Sequence, residues 1–80
     1  MDDEWSEHIL KASKYAEWAS LHYKVAADYK ESGDLERALY HALIGATDLD
    51  YASQHAKTAN DQIYKSSRNG MLEILGNNSI

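Results

Sequence analysis

The sequence has no cysteine and no proline, and basic charge is in the minority: eight Lys and Arg stand against thirteen Asp and Glu, a formal net charge of −5 over 80 residues. Without Cys there are no disulfides and no thiolate metal sites, a composition that suits a reducing compartment. Without Pro, nothing inside a helical pattern interrupts it. There is no basic patch of the kind that nucleic-acid binders carry, so binding to a nucleic-acid duplex is not expected. The acids are interspersed with Lys and Arg and do not stand in phosphate-like rows, which also disfavours mimicry of DNA. No apolar run approaches the roughly 20 residues that span a bilayer. The first residues, Met1-Asp2-Asp3-Glu4, are acidic where a secretory signal is basic. The expectation is a soluble, cytoplasmic chain away from membranes, forming one small domain whose core is marginal without further support.

What is present is helical spacing. In the first half Trp5, Ile9, Ala12, Ala16, Ala19, Tyr23 and Ala26 recur at alternating steps of four and three, the spacing of one stripe on an α-helix. In the second half Ala42, Gly45, Leu49, Ala52, Ala56, Ala59 and Ile63 do the same. A fold at Gly33 sets each member of one set opposite a member of the other, the paired numbers summing to 68, so that Tyr23 meets Gly45 and Ala16 meets Ala52. The expected fold class is all-α: a long antiparallel two-helix hairpin (1–69) with an Ala-rich seam, its helices at about 3–32 and 35–68. A short helix and loose tail follow over 70–80, and the whole is expected to assemble into a helical bundle. Asp2 or Asp3 caps the first helix, Gly33 ends it, Asp34 caps the second, and Asn69-Gly70 ends that one. Met71 to Leu75 is apolar enough to pack back over an open edge.

The turn, Tyr29-Lys30-Glu31-Ser32-Gly33-Asp34-Leu35-Glu36-Arg37-Ala38, resembles that of a tetratricopeptide repeat. Tyr29, Gly33, Leu35 and Ala38 fall where that motif places its aromatic, its small helix-breaking residue, its apolar residue and its Ala. The likeness covers residues 22 to 50 and implies a single helix-turn-helix hairpin. The closing Pro of the motif is missing and there is no second repeat, so no peptide-binding residues are carried over from that family.

One step back from the seam on each helix lies a side unlike the rest. It reads His8, Lys11, Tyr15, Trp18, His22, Val25 and Tyr29 on the first helix. On the second it reads His41, Ile44, Asp48, Tyr51, His55, Thr58 and Gln62. All four histidines fall there. The opposite side, with Ser6, Leu10, Ser13 and Glu17 across from Leu43, Ala46, Asp50 and Ser53, is expected to be an ordinary solvated face. Tyr and Trp are enriched where proteins meet, and an aromatic face this broad exceeds what a monomer usually exposes. The candidate binding face is therefore Tyr15, Trp18, His22, Val25, Tyr29, His41, Ile44, Asp48, Tyr51 and His55.

With the seam pairing, His8 and His22 each stand about five residues from the nearest histidine across the hairpin. No two then converge on one ion at the ~2 Å that zinc requires, and neither metal nor cofactor is expected. No nucleophile–base motif, phosphate loop or paired carboxylates appear, so an enzyme is not expected either. The expectation is a small non-enzymatic interaction module that forms a homo-oligomer, a dimer in the simplest case, or binds another protein through the aromatic and histidine-rich face. Alternatives are an oligomer that sequesters a nucleotide-like small molecule, its rings stacking on a base, and a small phage- or plasmid-type inhibitor of a host protein.

Overall fold

The computed structural model describes the backbone of residues 4–78 and the side chains of residues 5–67. It holds two helices, α1 (Glu4–Glu31) and α2 (Leu35–Asn78), packed against each other along the length of α1. Asp2 and Asp3, the expected first caps, lie outside the described residues. Ala, Lys, Glu and Leu dominate α1, all strong helix formers. In α2 the weaker formers Thr47 and Thr58 are accommodated by their hydroxyls, which donate to the carbonyls of Leu43 (3.0 Å) and Gln54 (3.1 Å) one turn back.

The turn between the helices is built entirely from local chemistry. Gly33 adopts φ 89°, the left-handed conformation that costs an L-residue with a Cβ about 1–2 kcal/mol. The Asp34 N–H then donates to the Tyr29 carbonyl (2.9 Å) and the Gly33 N–H to the Lys30 carbonyl (3.1 Å). Together these two bonds form a Schellman motif that satisfies carbonyls α1 would otherwise leave bare. Asp34 also opens α2, because its carboxylate accepts the Arg37 N–H at 3.2 Å. One residue thus closes one helix and caps the next, and a connection this short forces the antiparallel arrangement. The accompanying Arg37–Asp34 ion pair (3.4 Å) is mostly solvated and adds little.

At its far end α2 departs from expectation. The backbone stays helical through Asn69 and Gly70 to Asn78, where a stop and a separate short helix had been expected. A Gly ends a helix only if the chain turns there. In mid-helix it costs roughly 1 kcal/mol relative to Ala, and no Pro follows to enforce the turn. Among the described residues no helix is long and apolar enough to cross a membrane.

The interior between the helices is made of small residues. Ala19, Ala26, Ala38, Ala52 and Ala59 are buried, and so is Gly45. On α2 these recur every seventh residue (38, 45, 52, 59), and on α1 Ala19 and Ala26 do likewise. The helices approach very closely: a Cβ placed on Gly45 would stand 3.3 Å from the Ala19 carbonyl oxygen and 3.2 Å from the Tyr23 ring. Gly45 therefore sits between Ala19 and Tyr23, one turn apart on α1, and the expected Tyr23–Gly45 contact is seen directly.

Two substitutions probe these features in urea unfolding. Gly33→Ala meets no neighbouring atom, so it is expected to cost only the conformational ~1–2 kcal/mol. Gly45→Leu must displace Tyr23 and separate the backbones, and a loss of about 1–3 kcal/mol is expected. Wild-type stability in Gly45→Leu would show that the helices do not touch there.

Candidate interaction surface

The stripe that closes the hairpin is rotated from the expected one. Steps of four and three fit both 5-9-12-16-19-23 and 5-8-12-15-19-22, and the two stripes share every second position. The structure uses the second. Ile9, Tyr23 and Leu49, expected in the seam, are 42%, 40% and 46% exposed. His8, Tyr15, His22 and Tyr29 on α1, with His41, Asp48 and His55 on α2, are half-buried along one flank of the alanines.

Along that flank the rings form two matching clusters. In the first, His8 Nδ1 and His55 Nδ1 lie 2.9 Å apart. Tyr15 lies parallel to His55, with ring centres 5.9 Å apart and planes within 3°. In the second, His22 Nδ1 and His41 Nδ1 lie 3.1 Å apart, and Tyr29 lies 5.6 Å from His41 at 15°. Further rings extend each cluster. Tyr51 and Trp18 approach Tyr15 at 5.2 and 5.5 Å, the Trp edge-on, while Tyr40 meets His41 edge-on at 5.2 Å. The Arg37 guanidinium sits 5.8 Å over Tyr29, within cation–π range.

The expectation that His8 and His22 stand about five residues from any histidine across the hairpin is thus corrected. Both pairs close, with residue numbers that sum to 63 in each case. They close as hydrogen bonds. The imidazole centres of His8 and His55 are 5.1 Å apart with planes 29° from parallel, and those of His22 and His41 5.3 Å apart at 20°. These separations are close to the greatest that such short N···N contacts allow, so the rings meet edge to edge with their nitrogens aimed at each other. One Nδ1–H donates and the other Nδ1 accepts, so one ring of each pair carries a proton on Nδ1 and the other does not. An ion shared at ~2.0–2.1 Å would need both lone pairs turned off that line toward a common point. No group of three or more His, Asp or Glu side chains among the described residues is arranged to hold a metal.

Of the expected binding face, Tyr15, His22, Tyr29, His41 and His55 are thus engaged with one another, and Val25, Ile44 and Asp48 are half-buried. Trp18 (49% exposed) and Tyr51 (46%) remain open, backed by the Tyr15 ring. A signal for the clusters is present in the sequence. His-six-Tyr occurs at 8–15 and again at 22–29, and the histidines of α2 are likewise fourteen residues apart.

The other side of the hairpin is exposed, as expected of a solvated face, and the rotation of the seam adds the outward-turned Ile9, Ala16, Tyr23 and Leu49 to it. On α1 it carries Ile9, Ala16 and Tyr23, with Ser13, Ser20 and Ala27 beside them. On α2 it carries Leu39, Ala42, Ala46, Leu49, Ser53 and Ala56. No charge stands among these positions, in a chain that is 26% charged, until Lys30 beside the turn. The charges that made this side look ordinary, Glu17, Lys24, Asp50 and Lys57, lie on the outward ridges of the helices.

No protein-family model matches the chain, and neither does any curated protein or solved structure.

The pairing of the imidazoles is testable by a double-mutant cycle. His8→Ala and His55→Ala are expected to couple by about 0.5–1.5 kcal/mol in unfolding free energy. His22→Ala and His55→Ala, in separate clusters, are expected to add. Additivity within the first pair would show that its bond contributes nothing.

Proposed function

We propose that this chain is a small non-enzymatic interaction module, a hairpin that supplies part of a helical bundle and gains the rest of its core from another protein chain. A single observation carries the proposal: among the described residues nothing larger than alanine is buried. Twelve large apolar side chains among the described residues are 40% exposed or more, among them Leu10, Leu21, Leu43 and Tyr64. A buried alanine methyl contributes only about 0.8 kcal/mol, and every larger apolar side chain among the described residues keeps part of its surface in water, so apolar burial is in deficit. A covering partner removes that deficit.

On the ring-bearing side the anchors for a partner protein are Trp18 and Tyr51. Both are of the residue types that dominate binding energy at interfaces, and both lean on Tyr15. Rings already held in place lose little entropy on binding. The histidines act as struts that fix the platform, with their mutual bonds satisfying nitrogens that would otherwise need water. A cytoplasmic setting is part of the proposal, in keeping with the net charge of −5 and the lack of cysteine.

The test is equilibrium unfolding followed across about 1 to 100 µM protein, a range in which any association changes apparent stability by mass action. The expected outcome for the isolated chain at the dilute end is low stability, below the ~0.05–0.15 kcal/mol per residue of ordinary domains. A monomer that unfolds cooperatively above about 60 °C with a concentration-independent midpoint needs no completing chain, and would refute the proposal.

A further inference from the structure

Resting on the reading that the core is completed from outside, we propose that one completing chain is a second copy of this protein. It seats on the charge-free side to give a four-helix bundle, with the ring-bearing sides turned outward.

Charge selects this occupant. Burying an unpaired charge against a surface without charges costs several kcal/mol, so the charge-free side accepts only a surface that also lacks them. The chain carries such a surface on itself. Its net charge of −5 opposes self-association, and the opposition is weakest where two copies bring no charges into contact. The ring-bearing side, by contrast, carries Lys11 and Asp48 with Glu7, Lys14 and Arg37 at its margins.

Shape points the same way. Tyr23, Leu39 and Leu49 stand beside the small residues Ser20, Ala46 and Ser53, giving knobs and hollows on one surface. In a two-fold contact each knob of one copy meets a hollow of the other, and the reverse holds by symmetry. Near the turn, a shallow and mostly apolar groove is lined by Ala26, Leu35, Ala38, Leu39 and Ala42, with Lys30 as its one charged member, of a kind that receives an apolar side chain from a facing helix. Area is sufficient as well. α1 is 28 residues long and runs about 42 Å beside α2. The pair is 21 Å wide and one helix thick, so the two-helix face of roughly 900 Å² matches the ~800 Å² per partner of a standard interface.

The test uses the whole chain in light scattering at about 100 µM, with dilution to obtain the dissociation constant. The wild type is expected at twice the 9.0 kDa chain mass. Ser20→Glu places a charge on the charge-free side while gaining a favourable partner in Lys24 one turn on, so it leaves the hairpin helical. It is expected to weaken association about tenfold or more, while Gln62→Glu on the ring-bearing side changes it less than about twofold. Because the native chain has no Cys, Ala46→Cys gives a second readout that does not depend on a disruptive variant: alkylation is expected to be slow when assembled and fast on dilution. A wild-type monomer at this concentration, or a dimer that tolerates Ser20→Glu and alkylates freely at Ala46→Cys, overturns the inference. A monomer that is also unstable leaves the wider function standing with a foreign partner, whereas a stable monomer removes both.

Discussion

The close approach of two backbones at small residues is the constraint on which everything else rests. With alanine or glycine at every seventh position from Ala12 to Ala26 and from Ala38 to Ala59, the helices stand so near that a Cβ on Gly45 would crowd the carbonyl of Ala19. No ring fits between backbones that close. The larger side chains are therefore displaced to the two flanks of the contact, and the character of each flank follows from what the sequence places there. Tyr and His go to one side, where they pair with each other. Ile, Leu and Ser go to the other, together with Tyr23, whose ring lies against Gly45.

The same closeness sets the energetics. Van der Waals contact in the seam is dense, but the apolar area it removes from water is small because alanine has little to bury. The ring clusters add specificity more than mass: two N–H···N bonds and their stacked tyrosines fix the register of α1 against α2 at two heights. A structure one helix thick has no inside for a leucine. It holds its apolar side chains outward on both faces, which gives a physical reason for association and also locates it.

Much of this was legible from local chemistry. Gly33 and Asp34 announce the turn because a left-handed cap and an N-cap are decided by a few neighbouring atoms. The recurrence of alanine announces the hairpin for the same kind of reason. The rotation of the seam was not legible by hydrophobicity, since Ile9, Tyr23 and Leu49 look more like interior residues than His8, His22 or His41. Imidazole enters the flank here only because each has a partner for its N–H or lone pair across the hairpin. That condition depends on register, which apolar spacing leaves open by about a turn. The continuation of α2 past Gly70 was missed because a glycine permits a stop without requiring one. The resemblance of the turn to a tetratricopeptide repeat concerned the hairpin bend alone, and it carried no information about either flank.

The central claim, that the alanine and glycine column is the line of contact and the histidines flank it, is tested most directly by proton–proton NOEs in isotope-labelled protein. The account predicts cross-peaks from the Ala19 methyl to the Gly45 α-protons, from the Tyr23 ring to Gly45, and between the imidazoles of His8 and His55 and of His22 and His41. Cross-helix peaks dominated by Ile9 and Leu49, with the four imidazoles isolated from one another, would contradict it.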